Sequence, residues 1–180
     1  RICAIYDQDN AAYTGNYLNA FGDELHKAGG RMIKQLAFCA TDKPAFGPLV
    51  SQLSQGGSQG LLIIASAFDA ALIVQHSRLL GWHTNFFGSG WTLADSLIQN
   101  GGKAVEGMFF VSSYDANCQT TAFLKFQKKY NSRFKQMTNF MAKNAYETML
   151  VLAAALEKTH GQAEGLAKAL PGISIDGLTE

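Results

Sequence analysis

Gly60-Leu61-Leu62-Ile63-Ile64-Ala65 is apolar at every position. A strand with one wet face alternates apolar and polar residues, whereas an unbroken apolar strand is covered on both faces, as in the interior of a parallel sheet. Working outward, residues 2–6 (Ile-Cys-Ala-Ile-Tyr) form a second short apolar run, closed by the turn-prone Asp7-Gln8-Asp9-Asn10. Residues 32–38, 85–88 and 108–111 read as further strands. The intervals carry helical spacing: 13–28, where Tyr17, Leu18, Phe21 and Leu25 share a face, then about 44–55, 68–80 and 93–99. Thr41-Asp42 is expected to cap the second helix, with proline near its first turn. Gly29-Gly30, Gly56-Gly57, Gly81 and Asn100-Gly101-Gly102 stop the helices. Strand and helix alternate four times, which predicts an α/β fold with a doubly wound parallel sheet and right-handed crossovers.

The pattern changes at residues 112–115. From there to residue 170 only helices are expected, at 119–130, 139–159 and 162–170, with Gly161 and Pro171-Gly172 as punctuation. Residues 173–175 are the one further strand candidate. Two domains follow: 1–112 with the parallel sheet, and 113–180 made of helices. The stripe of Tyr146, Met149, Leu150, Ala153 and Leu156 needs a surface to cover, and that surface is expected to be a sheet outside this chain.

Composition excludes several classes. With 180 residues, 47% hydrophobic and 16% charged, the chain can bury a core, which argues against disorder. A net charge of +1 gives no electrostatic pull toward nucleic acid or an anionic membrane. The longest apolar runs, 60–65 and 149–156, are too short to span a bilayer. The sequence opens directly on a strand-like run, without an initiator Met or a charged-then-apolar leader. It therefore reads as a mature chain or an excised piece, in which any targeting signal is not visible. Cys3, Cys39 and Cys118 form no C-x-x-C motif, and Cys3 and Cys39 read as small buried hydrophobes.

Catalytic motifs fail in turn. No glycine cradle follows the first strand, so a dinucleotide site is not expected, and Gly88-Ser89-Gly90 lacks the third glycine. The third strand closes on Ala65-Ser66 and the fifth on Val111-Ser112, without the acid and lysine of a phosphoacceptor. There is no G-x-S-x-G elbow, and His26, His76, His83 and His160 have no ligand spacing. Asp7 and Asp9 read as the clasp of a strand–helix turn. No enzyme, metal or cofactor is implied. Open α/β sheets bind ligands beyond the carboxyl ends of their strands. Tyr13, Ser66 and Trp91 stand at such ends, and Glu106 lies beside an apolar strand. The alternatives are helix-start packing for Tyr13 and Trp91, a helix cap for Ser66 and a solvated loop charge for Glu106.

A series of short motifs, in order, gives these residues a context. Tyr6-Asp7-Gln8-Asp9-Asn10-Ala11-Ala12-Tyr13-Thr14-Gly15 resembles the Y-D-x-D-N-x-Y-G turn of type I periplasmic solute-binding proteins, in the subgroup of branched-chain amino acid and amide receptors of ABC transporters. Ala28-Gly29-Gly30 resembles the A-G-G that ends the first helix of one lobe, and Thr41-Asp42 the T-D-F before its second. Phe68-Asp69-Ala70-Ala71 through Leu80-Gly81 resembles D-A-A-x-I-x-x-A-R-x-x-G, and Val105-Glu106-Gly107-Met108 resembles A-E-G-M/V. Asn144-Ala145-Tyr146 and Ile175-Asp176-Gly177-Leu178-Thr179 resemble x-A-Y-D/E and F-D-G-L-T-G.

The resemblance implies two α/β lobes joined by three crossovers, with ligand closed between them by hinge motion. Residues 1–112 would be the second lobe, residues 113–115 a crossover, and the later helices part of an incomplete first lobe. Tyr13 matches the tyrosine that reaches the ligand. Glu106 matches the glutamate that pairs an amino acid's ammonium. Ser66 falls at a small polar contact, and Trp91 lies in a cleft-facing loop. Thr14 departs from the glycine that often follows the tyrosine, and the first lobe's Ser/Thr carboxylate clamp is absent from the sequence. The implied function is an extracytoplasmic solute-binding protein, periplasmic or extracellular and lipid-anchored or free. It would hand an amino acid or aromatic acid to an ABC permease, without nucleic acid as a partner. The alternatives are a ligand-sensing domain of a receptor or regulator with the same fold, and, behind it, an α/β enzyme.

Overall fold

The computed structural model describes residues 1–112 and 114–178. Ser113 of the expected crossover and Thr179 of the last motif lie outside the described residues. The chain divides into two compact units, Arg1–Ser112 and Ser113–Glu180.

Unit 1 is an α/β layer structure. Its strands are β1 (Ile2–Asp7), β2 (Met32–Phe38), β3 (Gly60–Ile64), β4 (Asn85–Gly88) and β5 (Phe109–Phe110). They form one sheet in the order β2-β1-β3-β4-β5, and every neighbouring pair is parallel. All five residues of β3 are buried, as its unbroken apolar sequence requires. Full burial of side chains such as Leu61 or Ile63 is worth roughly 1.5–3 kcal/mol each. Alternate residues face opposite layers. Ala4, Leu62 and Ile64 pack with Leu18 of α1 (Ala11–Lys27). Cys3, Ile5, Leu61 and Ile63 share the other core with α2 (Phe46–Ser54), α3 (Ala67–Leu79) and α4 (Asp95–Gly101). Helices on both faces make the sheet doubly wound.

The second helix starts later than its sequence suggests. Thr41-Asp42 does not cap it; Ala40–Asp42 is a separate 3-10 turn, and α2 begins after Ala45 without a side-chain cap. Lys43 sits at φ 50°, a left-handed kink that ends the turn and stops it merging with α2.

Unit 2 contains α5 (Thr121–Phe134), α6 (Phe140–Lys158) and the short α7 (Leu166–Ala169). Thr120 and Asn139 cap the first two by accepting from the N–H of Phe123 and Ala142. Cys118, Phe123, Phe126 and Leu178 form its core. Glu147 accepts from the Leu178 N–H at 2.7 Å and pairs with Lys143 at 3.0 Å, with both side chains mostly buried. Two expectations fail here. The helix at 162–170 shrinks to α7 and a 3-10 turn, because Gly165 adopts φ 86° and breaks it. Residues 173–175 are not a strand; among the described residues of unit 2 none supplies a strand partner.

Candidate functional site

In the order β2-β1-β3-β4-β5, the chain winds one way from β1 to β2 and the other way from β3 onward. The reversal falls between β1 and β3, the position at which open α/β sheets leave a crevice beyond their carboxyl ends. Three loops meet there.

The loop after β1 is clasped by its acids. Asp7 is buried and accepts from the Asp9 N–H at 2.9 Å and the Ala40 N–H at 3.4 Å. Asp9 accepts from both the N–H and the hydroxyl of Thr41, at 2.8 and 2.9 Å. Those two Thr41 bonds hold the Asp9 carboxyl below its ordinary range. The aspartates thus do more than shape one turn: they tie the loop after β1 to the loop after β2. Thr14 is buried and donates to the Asp7 carbonyl at 2.7 Å, which gives a use to the residue standing where glycine was expected. Cys39 lies past the end of β2 and is half-exposed rather than buried as a hydrophobe, because the strand ends at Phe38. Partial burial, with the charges of Asp9 and Asp42, raises its thiol pKa.

The loop after β3 carries Ser66. Its hydroxyl accepts from the Asp69 N–H at 3.2 Å and donates to Asp69 Oδ2 at 2.7 Å, so Ser66 is the N-cap of α3. Burial, with a smaller push from Asp7, raises the Asp69 carboxyl above its usual value despite the Ser66 bond. Phe68, in the first turn of α3, is 52% exposed. Phe68 is not among the strand-end candidates Tyr13, Ser66 and Trp91, although an aromatic two residues beyond a strand-end serine is a signal for it.

The loop after β4 is fastened from below. Thr92 is buried and donates to the Ala65 carbonyl at 2.9 Å, and its N–H donates to the Ser89 carbonyl at 3.0 Å. Trp91 is held between these anchors and meets Tyr13 edge to face, with ring centroids 5.9 Å apart at 85°. Tyr13 also packs on the core cluster beneath α1. The fold therefore brings Tyr13, Ser66 and Trp91 to one edge of one sheet.

Glu106 does not join them. It precedes β5, and because all strands are parallel this places it at the amino edge, opposite the crevice. Its carbonyl accepts from Arg78 in the last turn of α3 at 3.4 Å, and its side chain is exposed. The expected role beside the ligand is corrected to that of a solvated charge. The A-E-G-M/V match identified a strand's entrance, and chain direction decides which edge an entrance faces. Among the described residues no group of three or more His, Cys, Asp or Glu could hold a metal ion.

A family model described as periplasmic binding protein matches residues 1–180. The chain belongs to the periplasmic binding protein family. Solved structures agree on the fold. A leucine-binding protein from Thermotoga maritima superposes with a TM-score of 0.84 at 23% identity, covering 94% of this chain and 48% of that one. A branched-chain amino acid transporter substrate-binding protein from Streptococcus pneumoniae, in complex with isoleucine, gives 0.81 at 16%, covering 99% and 50%. A solute-binding protein of an ABC transporter from Rhodopseudomonas palustris, in complex with 3,4-dihydroxybenzoic acid, gives 0.73 at 20%, covering 94% and 46%. The chain spans about half the length of these structures. No curated protein matches it. In this periplasmic binding protein, no helix among the described residues is long and apolar enough to cross a membrane.

Proposed function

We propose that this chain supplies the ligand-binding lobe of an extracytoplasmic solute-binding protein that delivers a small organic solute to an ABC permease. Residues 1–112 form one wall of the ligand cleft, and residues 113–180 belong to the crossover and the partner lobe. The observation that carries this reading is the Tyr13–Trp91 pair, which joins the first turn of α1 to the loop after β4 at the crevice of a family fold. Family membership and the ligand-bound relatives of the same fold support it. Such a protein performs no covalent step. A closed cleft buries most of a small ligand, and a few polar groups fix its orientation. Tyr13 and Trp91 are the binding residues on this wall. Ser66 contributes by holding the start of α3, since its hydroxyl is already occupied by Asp69.

The experiment is a thermal-shift screen of the full-length protein against branched-chain and aromatic amino acids and their deaminated acids. A ligand that binds only the folded state stabilises it by RT ln(1 + [L]/Kd), about 2.7 kcal/mol at a hundredfold excess over Kd. A saturable upward shift with one of these classes is expected. Absence of any shift across the panel would remove the solute-capture reading while leaving the fold.

A further inference from the structure

The amino edge of unit 1 holds a polar cleft that solute capture does not use. It has a volume of about 250 Å³ and is lined by Ser58, Gln59, Arg78, His83, Thr84 and Asn85, where β3 and β4 begin. Parallel strands share one entrance edge, so this cleft and the Tyr13–Trp91 crevice lie at opposite ends of the sheet. Its walls are tied together: Asn85 Nδ2 donates to the Gln59 carbonyl at 3.1 Å, joining the segment that enters β4 to the one that enters β3.

Arg78 brings the charge. Its half-buried guanidinium lies over the Phe86 ring, 4.8 Å from the centroid. Nε donates to the Ala104 carbonyl at 3.3 Å and Nη2 to the Glu106 carbonyl at 3.4 Å. Those bonds fix the plane of the group and leave further N–H donors, since a guanidinium carries five. Glu106 gives Arg78 its backbone carbonyl, while its side chain is exposed. Among the described residues no carboxylate pairs with Arg78; the ion pairs there join Lys27 to Glu24 and Lys143 to Glu147.

Two hydroxyls complete the cleft. The oxygens of Ser58 and Thr84 are buried and have no hydrogen-bond partner, and among the described residues they are the only such side-chain atoms. Elsewhere in unit 1 the buried hydroxyls of Thr14, Ser77 and Thr92 each donate to a backbone carbonyl. A buried hydroxyl without a partner is costly, so two of them in one cleft mark a place for an acceptor. The carbonyls at the end of α3 are already bonded: those of His76, Ser77 and Arg78 accept from the N–H groups of Leu80, Trp82 and Gly81. That blunts their repulsion of an anion.

We propose that this cleft binds a small oxyanion of the phosphate or sulfate kind. A guanidinium without a counter-ion, flanked by hydroxyl donors, is the donor set such an anion requires, and His83 stands exposed at the rim with a further N–H. The bound anion would link the entrances of β3 and β4, through Arg78, to the turn before β5. The site lies wholly within unit 1 and does not depend on the solute-binding reading.

The test titrates the full-length protein by calorimetry with sodium phosphate and sodium sulfate, in a buffer free of both, with sodium chloride at matched ionic strength as the control. Saturable binding of phosphate or sulfate that chloride does not reproduce is expected. Thr84→Val removes a hydroxyl and keeps the shape of the side chain. It is expected to weaken anion binding by about threefold, while the melting temperature without anion stays the same or rises. Arg78→Gln is expected to weaken binding by about tenfold. Should that variant fail to fold for want of its bonds to Ala104 and Glu106, Ser58→Ala takes its place, with an expected loss of about threefold. Heats no larger than those of chloride overturn the proposal and leave the two hydroxyls to ordered water. Anion binding that none of these variants weakens overturns it as well, by placing the anion elsewhere. Either result leaves the solute-capture reading untouched.

Discussion

Asp9 and Asp69 stand within the same crevice and are pushed in opposite directions. Asp9 is exposed, and its bonds from Thr41 stabilise the ionised form. Its folded-state pKa is therefore below the ordinary 3.8. The stability it contributes is present above that value and is lost as pH falls through the folded pKa. Asp69 is partly buried, and burial outweighs the Ser66 bond, so its folded pKa is above 3.8. Its protonated form is favoured by folding, and its contribution is lost as pH rises from 3.8 through the folded value. Urea melts between about pH 3 and 7 should separate the two. The stability of wild type relative to Asp9→Asn is expected to grow with pH, and that relative to Asp69→Asn to shrink. Parallel trends for both variants would show that the hydrogen bonds or the burial have been misassigned.

At the scale of the element, Ser66 belongs to α3 before it belongs to any ligand. It satisfies an N–H of the first turn that would otherwise have no acceptor, and it does so at the point where buried β3 hands over to a helix. Ser66→Ala is expected to lower the unfolding free energy by about 1 kcal/mol, and Ser66→Gly by less, because glycine is tolerated at this position. Ligand affinity should fall only as far as α3 loosens. A loss of stability well under half that size, together with a large loss of affinity, would make Ser66 a ligand contact instead of a cap. Glu106 teaches the complementary lesson. The 3-10 turn before β5 and the bonds from Arg78 set it at the entrance of the strand, where no substitution can bring it to the exit.

At the scale of the molecule, the two units are unequally furnished. Both core clusters of unit 1 are built only from residues 1–112, sandwiching a sheet buried on two faces. Unit 2 has a small core, and Phe134, Met137 and Met149 are exposed by 51%, 71% and 59%. A chain of residues 1–112 is therefore expected to unfold cooperatively in urea, with an m-value of about 1–3 kcal/mol per molar. In hydrogen exchange of the whole chain, the β1 and β3 amides should be the slowest and those of α5 to α7 faster. A broad, non-cooperative melt of residues 1–112 would mean that its core depends on the rest of the chain.

The layer architecture is legible along the chain. Burial leaves a direct mark on composition: Leu61 to Ile64 must be covered on both faces, and glycine pairs must end the helices between strands. Also legible is that the residues after β1, β3 and β4 lie at one end of the sheet, since parallel strands all exit on the same side. Tyr13, Ser66 and Trp91 were legible for that reason. Tertiary structure alone decided what these residues touch. The right-angle contact of Tyr13 with Trp91 joins positions 78 residues apart, and no local spacing encodes it. The bonds from Thr41 to Asp9 likewise join two loops through the pairing of β1 with β2. Tertiary structure also decided the fate of Glu106, because a short motif records neighbours along the chain and carries no information about which edge of the sheet they occupy. Propensity is local and pairwise contact is not: that difference separates what could be read along the chain from what required the fold.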